Sequence, residues 1–135
     1  MLTKKTKYGL KAMTYLAKNY KGNPILISEI AEKEKIPLKF LESILLELRK
    51  SGLLASKKGK GGGYFLNLPA EEINIASIFR VLEGPIALLP CVSLNYYKKC
   101  DDCVDEEACS LNRLMVRVRD KTLNVLEHQY LTDLI

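Results

Sequence analysis

Four cysteines stand close together in the second half of the chain, where they could hold a metal or react as thiols. Cys91, Cys100, Cys103 and Cys109 follow the spacing Cys-x8-Cys-x2-Cys-x5-Cys. Zinc and iron–sulfur clusters are both held by cysteine thiolates, and a Cys-x2-Cys pair suits either. The pattern predicts four metal ligands, with a 2Fe–2S or 4Fe–4S cluster as the cofactor. Zinc, or metal-free thiols that respond to oxidation, are the alternatives.

Apart from the cysteines, the chain contains few residues that could carry catalysis. The chain of 135 residues contains a single histidine, His128, and no tryptophan. No Ser-His-Asp set and no nucleotide-binding fingerprint is present. The glycine-rich run at 59–63 leads into a strand pattern rather than a helix, unlike a phosphate-binding loop. These observations argue against an enzyme.

Three helical patterns occupy the first 52 residues of the chain. Apolar residues recur at helical spacing from about Lys7 to Tyr20. Ser28 is expected to cap a short second helix, and Pro37 stands where a third can begin. Gly52 is well placed to close that third helix in a left-handed conformation. Two helices joined by so tight a connection are typical of a helix-turn-helix.

A glycine-rich hairpin follows the third helix. The pattern predicts a strand from Leu53 to Lys58 and a returning strand from Tyr64 to Leu68, where residues alternate with a period of two. A hairpin in this position is the wing of a winged helix-turn-helix. Glycines let a backbone approach a phosphate closely, and lysines supply positive charge. The wing residues predicted to meet DNA are Lys57, Lys58, Lys60, Gly61 and Gly62.

Charge is divided unevenly along the chain. Residues 1–64 carry 14 Lys/Arg and 5 Asp/Glu, a net +9, and residues 65–135 carry 7 and 11, a net −4, which together give the overall +5. A basic half predicts contact with a polyanion such as DNA. A winged helix that serves only for protein contacts is the alternative, but such a module has no need of this charge.

A long amphipathic helix is predicted near the C-terminus. It runs from Leu111 to about Glu127, after a helical pattern at 74–83 and a segment without periodicity at 85–110. So small a domain offers little core for its apolar stripe to cover, and we expect a second subunit to bury it in a homodimer. The stripe consists of Leu111, Leu114, Met115, Val118, Thr122, Val125 and Leu126.

Several short motifs occur in an order that resembles a known bacterial family. It includes the iron–sulfur assembly regulator IscR, the nitric-oxide-sensing repressor NsrR and the cysteine-metabolism repressor CymR. The resemblance spans nearly the whole chain and implies a homodimeric DNA-binding transcription regulator, of the repressor kind. The motifs are Tyr8-Gly9-Leu10-Lys11-Ala12, Ile30-Ala31-Glu32, Phe40-Leu41-Glu42, Leu48-Arg49-Lys50-Ser51-Gly52-Leu53-Leu54, Lys58-Gly59-Lys60-Gly61-Gly62-Gly63-Tyr64 and Leu82-Glu83-Gly84.

The resemblance also implies how DNA is contacted. The third helix would enter the major groove and the wing the adjacent minor groove, with Lys58 at the position of a wing arginine in the iron–sulfur assembly regulator. Lys39 could pair with a phosphate or a guanine, and Glu42 could accept from a cytosine amino group. The remaining predicted DNA contacts are Lys7, Tyr8, Ser28, Pro37, Phe40 and Ser43.

Cluster-binding members of the family place three cysteines before the dimer helix. The resemblance aligns Cys91, Cys103 and Cys109 with them and leaves Cys100 as an additional thiol and a candidate fourth ligand. Where the iron–sulfur assembly regulator has a histidine ligand, three residues after its last cysteine, this chain has Asn112. His128 lies far along the helix and is expected to cap its C-terminal end. Any cluster is therefore left to cysteines or to an external ligand.

The expected architecture is mainly α-helical with a small β-hairpin. Residues 1–84 are predicted to form a winged helix-turn-helix domain, residues 85–110 a cysteine-bearing sensor loop, and residues 111–135 a dimerisation helix and tail. No run approaches the roughly 18 apolar residues of a membrane helix, so we expect a soluble cytoplasmic protein without a membrane partner. Loss of a cluster from the loop, by nitric oxide, oxidation or iron scarcity, would change the spacing of two recognition helices in a dimer. Control by a small molecule or a partner, without a cluster, is the alternative.

Overall fold

The protein consists of α-helices and one two-stranded antiparallel hairpin, in a computed structural model that describes residues 2–135. Short 3-10 helices occur at Ala70–Glu72, Pro90–Val92 and Leu131–Leu134. The mainly helical architecture with a hairpin wing and a long C-terminal helix is confirmed. In chain order the elements are α1 (Lys4–Asn19), α2 (Ile27–Glu34), α3 (Leu38–Lys50), β1 (Leu54–Lys57), β2 (Gly63–Leu66), α4 (Ile75–Leu82) and α5 (Ser110–Glu127).

The core lies where α1, α3 and α4 pack together. On α3, apolar side chains recur at three- and four-residue spacing, so they line a single face of the helix. This face is completely buried, which fixes α3 against α1 and α4 and turns its opposite side outward. The buried side chains of α3 are Leu41, Ile44, Leu45 and Leu48.

Helix α1 begins three residues earlier than the apolar spacing predicted. Thr3 is its N-cap, because the Thr3 hydroxyl accepts a hydrogen bond from the Thr6 backbone N–H at 3.3 Å. The Glu83 carboxylate, just after α4, accepts from the hydroxyls of Thr3, at 2.7 Å, and of Thr6. Burial opposes ionisation of Glu83, but these hydrogen bonds outweigh it and lower the pKa of the carboxyl. The start of α1 is thereby fastened to the end of α4.

The predicted cap of α2 is wrong. Leu26 occupies the N-cap position, and Ser28 lies inside the first turn with an exposed side chain. The Leu26 carbonyl already accepts from the Glu29 backbone N–H at 3.1 Å, so the helix starts before Ser28. Tyr15 of α1 donates to the Glu29 carboxylate at 2.6 Å, and this hydrogen bond, with burial, raises the pKa of Tyr15 to about 12.

The ends of α3 agree better with the sequence. Pro37 is the N-cap, directly before the first helical residue. Gly52 adopts the left-handed conformation, with φ of +89°, as predicted. Lys35, at the end of α2, also has a positive φ of 58°, which allows the sharp turn between α2 and α3.

The wing is shorter than predicted, but it is fastened at a second place. Strand β1 pairs with β2 in a register that sets Leu54 opposite Leu66 and Lys57 opposite Gly63. Beyond this hairpin, Ile25 and Tyr64 exchange backbone hydrogen bonds of 2.9 and 2.8 Å. The base of the wing is therefore held to the connection between α1 and α2.

The C-terminal tail returns to the winged helix-turn-helix. The Leu131 backbone N–H donates to the Ile73 carbonyl, and that of Ile75 donates to the Gln129 carbonyl, each at 2.8 Å. The Leu131 side chain is completely buried in the core formed by α1, α3 and α4. The segment that follows α5 is thus part of the core of residues 1–84. The predicted division into a winged domain at 1–84 and a separate helix and tail at 111–135 did not include this contact.

Candidate nucleic-acid interface and cysteine segment

The outward face of α3 carries the charged residues predicted to read DNA. Lys39 and Glu42 are both exposed, and among residues 2–135 neither forms an ion pair. The Ser43 hydroxyl is exposed but donates to the Phe40 carbonyl of its own helix at 2.8 Å. The first turns of α3 thus present one cation and one anion that are available to a ligand.

Two aromatic residues of the predicted interface have a structural role as well. The rings of Tyr8 and Phe40 meet edge to face, with centroids 5.6 Å apart. Both side chains are half-buried against the core, so they brace α1 against the start of α3. Their contact with DNA stays a prediction.

The wing tip presents its lysines to solvent. Lys57, Lys58, Lys60 and Gly61 are exposed. Gly62 is instead buried, and a Cβ atom there would stand 2.3 Å from the Lys57 carbonyl oxygen. Glycine is therefore required at 62 because a side chain would overlap the backbone within the turn. The buried position of Gly62 does not support its predicted contact with DNA.

Two side-chain contacts hold α3 to its neighbours. Arg49 donates to the Ser56 hydroxyl of the wing at 3.3 Å, and Lys5 of α1 pairs with the Glu47 carboxylate at 2.8 Å. Of the remaining predicted contacts, Lys7, Ser28 and Pro37 are all exposed. The exposed residues of α3 and the wing thus belong to one braced unit.

Asn112 connects two of the cysteines. Its side-chain amide donates to the sulfur of Cys91, and its backbone N–H donates to the sulfur of Cys109, both at 3.4 Å. Cys109 is the N-cap of α5, and Cys91 is buried in the 3-10 helix at 90–92. The sequence singled out Asn112 only as a missing histidine ligand. The sequence carries no local signal of this bridge, since Asn112 and Cys91 are 21 positions apart.

The other two thiols lie in the same cluster. A hydrogen bond to Cys91 and burial raise the pKa of Cys100, with the neighbouring charges of Asp102 and Cys103 adding to them. Burial raises the pKa of Cys103; the positive charge of Lys99 opposes this rise, and the proximity of Cys109, Glu106 and Cys91 adds to it. These raised pKa values favour neutral thiols, the forms that metals must deprotonate.

The four cysteines have the chemistry to bind a metal as thiolates, but their side chains are not arranged as a metal site. In the part of the chain that the structure describes, no three His, Cys, Asp or Glu side chains converge closely enough to hold a metal ion. All four cysteines are unpaired thiols. His128 is the C-cap of α5, where its Nδ1 contacts the Asn124 carbonyl at 2.6 Å, which confirms its predicted place at the helix end.

The cysteine segment is attached to α5 by a second contact. The Arg119 guanidinium donates to the Val92 carbonyl at 2.9 Å, directly after Cys91. Within the segment, Tyr97 donates to the Glu106 carboxylate at 2.6 Å, which raises the pKa of Tyr97 to about 12. Rearrangement around Cys91 would therefore act on α5 through both Arg119 and Asn112.

The predicted apolar stripe of α5 divides between two surfaces. Leu123, which the stripe did not include, is the buried residue of this helix, and Leu126 packs partly against the core. Leu111, Leu114 and Val125 keep 51%, 48% and 58% of their surface exposed. The chain alone leaves this second surface uncovered. Beside α5 an apolar cavity of about 320 Å³ opens between Phe79, Ile86, Leu88 and Val118.

Comparison with known proteins decides the family. The family model of Rrf2, described as an iron-dependent transcriptional regulator, matches residues 2–135. The chain belongs to the Rrf2 family. An rrf2-like HTH-type transcriptional regulator of Rhodobacter capsulatus is 40% identical over 100% of this chain and 92% of its own length. The regulator CymR of Bacillus subtilis is 32% identical over 98% of this chain and 88% of its own.

Solved structures of Rrf2 relatives have the same fold. The structure of CymR, the global cysteine regulator of B. subtilis, aligns with a TM-score of 0.80 at 31% identity and covers 99% of this chain and 95% of that one. IscR of T. potens aligns with a TM-score of 0.74 at 28% identity, over 99% of this chain and 85% of that one. This Rrf2 protein is accordingly a DNA-binding transcriptional regulator and not an enzyme. Among its described residues no helix is long and apolar enough to span a membrane.

Proposed function

We propose that this Rrf2 protein reads DNA with the exposed side of α3 in the major groove and the wing in the adjacent minor groove. The observation that carries the proposal is the pair of opposite faces on α3. One face is completely buried, while the other presents Lys39 and Glu42 without an internal ion pair among residues 2–135. A helix that is only a solvated surface needs no contact with a lysine-bearing hairpin. A helix that reads DNA is held at a fixed position along the duplex by such a contact.

Each exposed residue has a role that follows from its chemistry. Lys39 and Glu42 are the candidates for base contacts, because a lysine can donate to guanine and a glutamate can accept from cytosine. The wing lysines Lys57, Lys58 and Lys60 neutralise phosphates, which sets affinity rather than sequence preference. Lys7, Ser28 and Pro37 are further candidates for contacts with the DNA backbone. Tyr8 and Phe40 hold the reading helix at its angle to α1.

Replacing Lys58 by alanine tests the wing. Each lost phosphate contact lowers the slope of log affinity against log salt by about 0.9. We therefore expect Lys58→Ala to weaken binding to all duplexes and to make the slope shallower by about one unit, as measured by fluorescence anisotropy with a labelled operator fragment and with random DNA.

The matched control for this measurement is Lys98→Ala. It removes the same charge from the exposed cysteine segment, and it should leave the salt slope unchanged. Equal slopes for the two variants, or binding that does not depend on salt, would contradict the proposed role of the wing.

We infer that two chains pair through the uncovered surface of α5. Leu111, Leu114 and Val125 are exposed at intervals of three and eleven residues, which keeps them on one side of an α-helix. A two-fold reader of DNA needs a symmetric contact of this kind, and a self-complementary apolar surface supplies it.

Leu114→Glu is expected to convert a dimer to a monomer of about 15.3 kDa, because it places a charge in the apolar contact. Sedimentation velocity measures the change. Asn124→Glu adds the same side chain at an exposed polar position of α5 and should leave the dimer intact. A wild-type chain that sediments as a monomer at micromolar concentration would refute the pairing.

We further propose that the cysteine segment senses the state of iron or of thiols in the cell. Cys91, Cys103 and Cys109 would hold an iron–sulfur cluster, with Cys100 as a fourth thiol. Zinc and a metal-free state are the competing outcomes. Arg119 and Asn112 join the segment to α5, so its rearrangement reaches the dimer contact. Anaerobic purification, followed by an absorption spectrum and metal analysis, decides among these states.

A further inference from the structure

An open depression of about 370 Å³ beside α1 is rich in lysine. Lysines of α1 surround apolar side chains that come from α1 and from near both ends of the chain. Lys7 and Lys18 are exposed and form no ion pair among residues 2–135, whereas Lys11 pairs with the Glu34 carboxylate at 3.7 Å. We name this surface the lysine depression, and its main lining residues are Lys7, Lys11, Lys18, Leu2, Leu10 and Leu134.

A segment of opposite charge belongs to the second half of the chain. Residues 101–107, here named the acidic segment, carry five carboxylates. None of the five forms an ion pair in the part of the chain that the structure describes. Val104 lies between them and keeps 96% of its surface exposed. An apolar side chain among carboxylates is complementary to apolar side chains among lysines, because one contact covers the apolar surfaces and pairs the charges.

We propose that the acidic segment of one chain docks on the lysine depression of a second copy of the chain. Val104 contacts the apolar side chains of the depression, and the carboxylates pair with Lys11 and Lys18. Two-fold symmetry repeats the contact, so that it closes between two chains and does not extend into a filament. The inference rests on the proposed pairing through α5, and it is independent of DNA binding and of a metal.

The proposed α5 surface connects the two sides of this contact. The acidic segment ends four residues before Leu111, where that surface begins, and Leu134 follows nine residues after Val125, where it ends. When two α5 helices cross in opposite directions, the start of one meets the end of the other. Each acidic segment then faces the tail of the second copy and the depression beside it. Helices in the same direction would set two acidic segments side by side, which like-charge repulsion opposes.

Docking gives the cysteine segment a route to the reading helix of the other chain. The acidic segment contains Cys103, one of the proposed cluster ligands, and α1 carries the Tyr8 ring that braces α3 through Phe40. A rearrangement of the cysteine segment in one chain therefore acts on α1 of the second copy as well as on its own α5.

Cross-linking between isotope-labelled chains tests the contact. Chains grown with light and with heavy nitrogen are mixed until native mass spectrometry finds dimers of intermediate mass, and a carbodiimide then joins lysines to the carboxylates they touch. Trypsin leaves the whole acidic segment in the peptide 100–113. We expect this peptide to be joined to Lys11 or Lys18 in pairs of one light and one heavy peptide, because the contact connects two chains.

Three results of the cross-linking would overturn the proposal. Links that never combine a light with a heavy peptide would place the contact within one chain. Links only to lysines outside the depression would place it elsewhere. A dimer without any link from the peptide 100–113 would remove the contact and leave the pairing through α5 standing, whereas a monomeric chain would refute that pairing as well.

Charge reversal, followed by sedimentation equilibrium, gives a second measurement. Lys18→Glu should weaken the dimer about tenfold, since an exposed ion pair contributes a few-fold and each dimer contains the contact twice. The double variant Asp101→Lys, Asp102→Lys should weaken it likewise. An equimolar mixture of the two variants should regain the wild-type affinity, because every mixed dimer then contains one native contact and one with both charges reversed. Lys7 is left unchanged because it is also a candidate for contact with DNA.

The matched control for charge reversal is Lys50→Glu. It reverses an exposed charge of α3 that does not line the depression, and it should leave the affinity of the dimer unchanged. If Lys50→Glu weakens the dimer as much as Lys18→Glu, or if the mixture is no tighter than either variant alone, the acidic segment does not dock on the lysine depression.

Discussion

Replacing Leu131 by alanine is expected to lower the free energy of unfolding by about 2–5 kcal/mol, the usual range for a leucine removed from a packed core. The side chain is 0% exposed and packs among residues of the helix-turn-helix, although it lies almost at the C-terminus. Its backbone N–H is also bonded to Ile73. Urea denaturation followed by circular dichroism, at one fixed protein concentration, measures the loss.

Leu134→Ala is the control for this experiment. Leu134 belongs to the same 3-10 helix but is 44% exposed, and a surface substitution of this kind changes stability by about 0.5 kcal/mol or less. If both variants unfold at the same urea concentration as the wild type, the tail does not belong to the core. A large loss of stability for Leu131→Ala alone shows that the end of α5 is anchored to the core of the helix-turn-helix.

Replacing Gly63 by alanine is expected to detach the base of the wing. Gly63 has φ of +147°, and a Cβ atom there would stand 2.3 Å from the Ile25 carbonyl oxygen and 2.5 Å from its carbon. These are backbone atoms, so relief requires separation of Ile25 from Tyr64 and loss of their two hydrogen bonds. We expect a destabilisation of about 1–3 kcal/mol from the overlap alone, together with weaker binding to DNA of any sequence.

Gly61→Ala is the control that distinguishes the steric overlap at Gly63 from the strain of a positive φ. Gly61 also has a positive φ, of +76°, but nothing lies within 4 Å of the position that its Cβ would take. An alanine there carries only the strain of the left-handed conformation, about 1–2 kcal/mol. Thermal unfolding of the two variants should therefore show the greater loss for Gly63→Ala. The reverse order would mean that the contact between Ile25 and the wing is not formed.

Gly63→Ala and Gly61→Ala both bear on how the proposed reading surface is held. The wing lysines have no internal ion pair among residues 2–135, so their position depends on the backbone below them. That backbone is fastened by Ile25, and the Ser56 side chain of β1 accepts a hydrogen bond from Arg49 of α3. The α5 surface, in turn, depends on the anchor at Leu131 for its direction relative to α3.

Features with a local signal were predictable from the sequence. The apolar period of Leu41, Ile44, Leu45 and Leu48 places the buried face of α3, because a helix repeats every 3.6 residues. Gly52 ends the helix in the conformation that glycine adopts most easily. The motifs at 48–54 and 58–64 indicated the family that the comparisons then showed.

Helix ends were less predictable where several residues compete for one position. Ser28 is a good capping residue, yet α2 begins before it at Leu26. The adjoining Ile25 is held by Tyr64 of the wing, which sets where the chain can enter the helix. Capping preference is worth about 1 kcal/mol, and a tertiary contact of this kind overrides it.

The amino-acid sequence by itself determined the winged helix-turn-helix, the basic first half and the cysteine segment, since period, turn residues and charge are local properties, and its motifs indicated the regulator family. Only the tertiary structure decided that Asn112 bridges Cys91 and Cys109 and that Leu131 closes the core. Such contacts join residues that the chain brings together only by folding, because their partners are selected by packing and hydrogen bonding and leave no repeating pattern along the chain.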